Sequence, residues 1–303
     1  QEFLPEKHNE ASLVMPKIFH DAGFDVTVTD PPELNYAWRG DLTPLNSIPG
    51  INAHEFIGNL DELFKQENKF DCKSRADAIV NKEIKNFAVL QILIPPVRNL
   101  FYKNVRSANF ADQVYESGLK EYLNNYSCLS FLNKLTDFNG KKNQYMFITN
   151  ELTHDPLMFN RDYTEPLDRS DPFWNQSLGE DFNQLIMVST MTAVLKKVGQ
   201  WVEYLKENDV FDNTRIIIVA DHGALTRMPQ FDDSPTNYPL EKFNPVLMVK
   251  DFNAHTGENL KIDNSFMTHA DVPAIAFEGL IKDPVNPWTG TPLHLLTTSQ
   301  KNE

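Results

Sequence analysis

Four consecutive β-branched residues, Ile216 to Val219, constrain this chain more than any other stretch. No polar residue alternates with them, so the run predicts a strand buried on both faces, as in a parallel sheet covered by helices. Asp221, His222 and Gly223 follow at once. In open α/β sheets ligands bind just beyond the carboxyl ends of the strands. A carboxylate and an imidazole thus stand side by side where such folds do chemistry. Adjacent residues leaving a strand point apart, but a bend at Gly223 lets both reach one ion. Carboxylate oxygen with imidazole nitrogen suits zinc or manganese alike. The tripeptide alone is a weak motif, and a solvated turn after a core strand is the plain alternative.

The flanking sequence narrows the choice. Leu185, Val188, Met191, Leu195, Val198, Val202 and Leu205 recur at helical spacing across residues 182–208. A polar loop follows the site over 226–241, then a second apolar strand over 245–249. The segment "FMTHADVPAIA" from Phe266 opens another helix, with Asp271 expected to cap it. Near the start, residues 7–22 read as a helix with Leu13, Val14, Ile18 and Phe19 on one face, ended by Gly23. Residues 24–29 read as a strand, 33–50 as a loop with Trp38, Arg39 and Asp41, and 145–149 as another strand. Residues 51–140 read as mainly helical, an insertion or lid. That stretch carries no motif, internal repeat or low-complexity tract.

The pieces "YLKENDVFDNTRIIIVADHG", "NPVLMVKDF", "THADVPAIA" and "ELTHDP", in this order, resemble the C-terminal half of the alkaline phosphatase and sulfatase superfamily. The branch they are most similar to holds the membrane-anchored lipoteichoic acid synthases and phosphoethanolamine transferases. "EASLVMPKIFHDAGFDVTVTD" is similar to the helix and strand after the nucleophile in that family. The resemblance implies a single α/β domain over 1–303, a three-layer α/β/α sandwich with a mostly parallel central sheet, lacking its N-terminal strand or strands.

It also implies roles for named residues. Asp221 and His222 would bind a divalent metal ion, zinc or manganese. His154, within His-Asp-Pro, would contact the substrate phosphate, since an imidazole can donate to a phosphate oxygen. Trp38 and Arg39 would hold a phosphoglycerol group. His269 stands where some relatives have a late metal ligand. The family's nucleophile and first carboxylate ligand precede the helix that begins here near Lys7, and no residue of this chain matches the nucleophile motif. The chain therefore reads as a piece of a longer protein at the extracytoplasmic face of a membrane. By this reading the piece is inactive alone, and the whole transfers or hydrolyses a phosphate or sulfate ester, on a lipid head group or a cell-envelope glycopolymer. A non-catalytic sulfatase-like scaffold or binding module is the alternative.

Composition bounds the partners. The formal net charge is −14 and no basic cluster is present, so nucleic acid is excluded as a partner. The longest apolar run, residues 87–94, falls short of the ~20 residues a membrane span needs. The expected partner is a phosphorylated or sulfated small molecule, lipid or glycan. Cys72 and Cys128 could pair or stay reduced.

Overall fold

The computed structural model describes residues 4–37, 41–68, scattered positions within 81–99, 121–154, 179–223, 240–254 and 260–295. The chain forms two compact units. The first comprises Gln1–Glu55, Thr136–Thr149 and Trp201–Glu303. The second comprises Phe56–Leu135 and Asn150–Gln200.

The first unit is built on a three-stranded parallel sheet. Helix α1 (Leu4–Asp21) leads into β1 (Asp25–Thr29) through Gly23, whose φ of 88° suits glycine alone among ordinary residues. β1 lies between β2 (Ile51–His54) and β3 (Gln144–Ile148), parallel to both. Val26 and Val28 point to one face of β1 because strand side chains alternate. There they pack with Leu13, Ile18 and Phe19 of α1. Helix α6 (Asp271–Phe277; α2 to α5 are placed below) adds Ala276 and Phe277 to the same core. The architecture is a mixed α/β fold with a parallel central sheet flanked by helices, as the sequence predicts. β2 opens the stretch that the sequence assigns to helix. Its pattern Ile-Asn-Ala-His buries alternate residues, a period of two that four residues announce only faintly.

β4 (Ile216–Val219) departs from expectation. Among the described residues it pairs antiparallel with β5 (Leu247–Lys250) in a separate two-stranded sheet. Its side chains are half-buried rather than enclosed on both faces, and Val219 is exposed. Ile217 still packs against the core shared by α1 and β1. An unbroken apolar run therefore marks a strand here but not its neighbours.

Arg215 fastens this second sheet to the end of α6. Its Nη1 donates to the carbonyls of Ile275, Ala276 and Glu278 at 2.7–3.2 Å. Its Nη2 pairs with Asp251 at 2.8 Å. A cation suits a helix C-terminus, where carbonyls lack partners. Desolvation pushes the Asp251 carboxyl up, but hydrogen bonds from the Phe252 N–H and Arg215, with the Arg215 and Lys250 charges, hold it below the usual range. A depressed carboxyl contributes stability above its unfolded pKa and loses it as pH falls through the folded value. Arg215→Met is expected to cost about 2–3 kcal/mol, because three carbonyls lose a charged donor. Urea unfolding at neutral pH measures it, and the deficit should shrink on acidification below the ordinary carboxylate range.

The short helix α2 (Thr43–Asn46) also belongs to the first unit and buries Leu45 beneath β2. The second unit is helical in its described residues. It holds α3 (Asp61–Asn68), a helical run over 121–130 and the short α4 (Leu132–Leu135). Phe64 meets the rings of Tyr126 and Phe131 edge-on. Asn125 is buried. Its amide donates to Glu121, its side-chain oxygen accepts from the Glu151 N–H, and its carbonyl accepts from Asn150. It opens an Asn-x-Ser pattern, but burial removes it as a glycan acceptor in the folded chain. The Cys128 thiol is buried and donates to the Asn124 carbonyl. Cys72 lies outside the described residues.

Helix α5 (Gly179–Glu207) is longer than its apolar spacing predicts. Met187, Ser189, Thr190 and Ala193 form its buried face, while Val188, Met191 and Leu195 are exposed. Small polar residues, each able to satisfy its own hydroxyl locally, took the place expected for the aliphatic stripe. Of that stripe Leu205 is fully buried. No helix among the described residues is long and apolar enough to cross a membrane.

Candidate functional site

β4 ends at Val219, and Ala220 to Gly223 leave it as a short segment bent at Asp221 and His222. Backbone bonds hold both ends of that segment. The Ala220 N–H donates to Val246 at 3.1 Å, and the Gly223 N–H donates to Lys242 at 2.8 Å. Gly223 is needed for closeness and not for an unusual φ. A Cβ placed on it would lie 1.9 Å from the Glu241 carbonyl oxygen and 3.0 Å from that of Asn244. The short 3-10 turn Leu240–Phe243 thus fits against the bare glycine backbone.

Asp221 and His222 turn toward each other. The His222 N–H donates to Asp221 Oδ1 at 2.9 Å, which fixes the carboxylate. The other oxygen, Oδ2, lies 3.7 Å from His222 Nε2. His222 Nδ1 lies 2.7 Å from the Gly223 carbonyl. A carbonyl only accepts, so Nδ1 holds a proton, and Nε2 is the ring nitrogen left to offer a lone pair to a metal. A metal-binding histidine usually has its other nitrogen tied to a carbonyl or carboxylate in this way. Metal bonds of 2.0–2.2 Å place two tetrahedral donors about 3.3 Å apart, close to the separation here. Asp221 is 89% and His222 49% exposed at the side chain, so both are open to solvent. The pair fits a divalent ion as two of its donors. Among the described residues no third His, Cys, Asp or Glu completes a cluster around it.

His269 reaches the same segment. Its Nε2 lies 2.6 Å from the Ala220 carbonyl and donates to it. The residue just before the Asp221–His222 pair is thereby held on both its N–H and its C=O. The sequence offers no sign of this contact, since His269 lies 49 positions from Ala220. Asp271, expected to cap α6, is fully buried but turns backward. Its Oδ2 accepts from the Thr268 N–H and hydroxyl at 2.7 and 3.0 Å. It closes the turn that carries His269, because as the first residue of α6 it lies past the capping position.

His154 sits on an exposed turn of the second unit, its N–H donating to Glu151 at 2.9 Å. Trp38 and Arg39 lie outside the described residues.

The family model described as Sulfatase matches residues 5–278. The chain belongs to the sulfatase family. That family lies within the alkaline phosphatase superfamily, so the broad resemblance in the sequence is sound. Neither the curated proteins nor the solved structures compared with this sulfatase-family chain give a match. Family membership implies a sulfate or phosphate ester as substrate, and a divalent metal is usual in such enzymes.

Proposed function

We propose that this chain supplies part of the metal and substrate site of a sulfatase-like domain that hydrolyses or transfers a phosphate or sulfate ester. The observation that supports it is the convergence of Asp221 Oδ2 and His222 Nε2 at 3.7 Å, with Nδ1 committed to the Gly223 carbonyl. Asp221 and His222 would hold zinc or manganese. A bound divalent ion supplies Lewis-acid polarisation of an ester oxygen and lowers the pKa of an attacking group. The residues' own share is narrower. The His222 N–H keeps the carboxylate aimed, and the Gly223 carbonyl keeps the imidazole in one tautomer. His154, Trp38 and Arg39 would contact the ester's anionic group. No nucleophile is assigned among the described residues. A lipid head group or envelope polymer as substrate, with membrane attachment and an extracytoplasmic location, accords with the branch that the sequence resembles.

The exposure of Asp221 and the count of two donors among the described residues favour a second reading, a sulfatase-like scaffold without catalysis. Calorimetric titration of this chain with Zn²⁺ and with Mn²⁺ separates the two. The metal-site reading expects weak binding that Asp221→Asn or His222→Gln reduces by about tenfold or more, a loss that even an outer-shell partner can cause. No binding favours the scaffold. Binding that ignores both substitutions overturns the metal role of this pair.

A further inference from the structure

We infer that His269 is a positioning residue for the Asp221–His222 pair, acting through the Ala220 carbonyl. The inference rests on the metal-site reading for its consequence and on geometry for its substance. His269 Nε2–H is spent on the Ala220 oxygen at 2.6 Å. Nε2 therefore has no lone pair for a metal, and Nδ1 is the ring nitrogen that direct ligation would have to use.

The contact matters because of what Ala220 adjoins. Its N–H is already tied to Val246, and Gly223 is tied to Lys242. Between these two ties only the peptide planes at Ala220 and Asp221 can rotate. Rotation of the Ala220–Asp221 plane swings the Asp221 carboxylate away from the His222 N–H that holds it. His269 blocks that rotation by gripping the carbonyl oxygen of the same plane. His269 is itself placed by a rigid turn. The Thr268 N–H and hydroxyl are bound to the buried carboxylate of Asp271, and the Val272 N–H donates to the His269 carbonyl. The start of α6 therefore sets the aim of a carboxylate 50 residues earlier in sequence.

Two variants test this in the whole chain. His269→Ala removes the donor. His269→Gln keeps an N–H that can reach the same carbonyl. The direct readout is the backbone amide of His222, followed by proton–nitrogen NMR without metal. In the parent that N–H is bound to Asp221 Oδ1. His269→Ala should shift the His222 amide signal as this bond loosens and lower Zn²⁺ affinity about tenfold, with the urea unfolding midpoint little changed. His269→Gln should restore both. An unchanged His222 signature in a folded His269→Ala chain overturns the inference. So does a failure of His269→Gln to restore the parent signals, and so does a large shift of the His269 ring nitrogens on adding Zn²⁺, which marks direct ligation. If the His222 signature follows His269 while no variant or parent binds Zn²⁺, the positioning stands and the metal-site reading falls alone.

Discussion

Gly223→Ala is expected to abolish Zn²⁺ binding by this chain while costing about 1–3 kcal/mol of stability, the usual range for overpacking. The added Cβ would lie 1.9 Å from the Glu241 carbonyl oxygen, a separation real structures do not show, and 3.0 Å from the Asn244 carbonyl oxygen. Both obstacles are backbone, so no side chain can swing aside. The segment must retreat by at least about 1 Å, and misplacement of that size is enough to lose about 10²-fold in a positioned site. Retreat also breaks the Gly223 N–H bond to Lys242 and moves the carbonyl that fixes the His222 tautomer. Gly199 gives the control. It lies inside α5 with nothing within 4 Å of a Cβ, so Gly199→Ala should stabilise by about 0.5–1 kcal/mol through helix propensity. Urea unfolding with calorimetry on both variants checks the pair of outcomes. Wild-type Zn²⁺ affinity in Gly223→Ala would mean that the tight contact has no part in shaping the site.

The sequence made the elements legible where local signals agreed. α1, β1 and β3 lie within a few residues of their expected bounds, since apolar spacing and Gly23 act within one turn of chain. The adjacency of Asp221 and His222 was likewise visible, and their ring-to-carboxylate approach depends on the bend at these two residues. Partnership was not legible. Ile216 to Val219 say that a strand forms, yet an antiparallel partner and a parallel one demand similar side chains on a covered face. The pairing with β5 depends on residues some 30 positions later. β2 was hidden because Ile51 and Ala53 are its only inward residues, too few to announce a period. The buried face of α5 was misplaced for a different reason. Ser189 and Thr190 can bury a hydroxyl that bonds within its own helix, so polarity there did not mean exposure.

The reason for glycine at position 223 was half legible. A bend was expected, and what the fold requires is close approach to the turn at Glu241. His269 was noticed as a family position, but its hydrogen bond to Ala220 comes from the turn closed by Asp271. Tertiary contacts of this kind leave no periodic trace in a sequence.

Phe19→Ala is expected to be the most destabilising single change, at about 3–5 kcal/mol, the range for emptying a buried aromatic site. Phe19 is 3% exposed and touches three rings. Tyr145 of β3 stacks on it at 4.1 Å, with Phe24 edge-on and Phe277 tilted, each at 5.1 Å. Such ring pairs add about 0.5–1.5 kcal/mol beyond area alone. The residue thus joins α1, the parallel sheet and the end of α6 at one point. Burial also pushes the Tyr145 phenol well above its usual range, so it stays un-ionised in this stack. A domain is stable by only about 5–15 kcal/mol, so the loss could take a third or more of the total. Leu260→Ala is the comparison. Leu260 is exposed, and its truncation should change stability by no more than about 0.5 kcal/mol. The consequence reaches the site. Loosening Phe277 frees α6, and α6 begins at the turn that presents His269 to Ala220. Phe19→Ala should therefore lower the urea midpoint and shift the His222 amide signal in the same sample. A large drop in the midpoint with an unaltered His222 signal would show that the Asp221–His222 segment is held by its bonds to Val246 and Lys242, without help from α6.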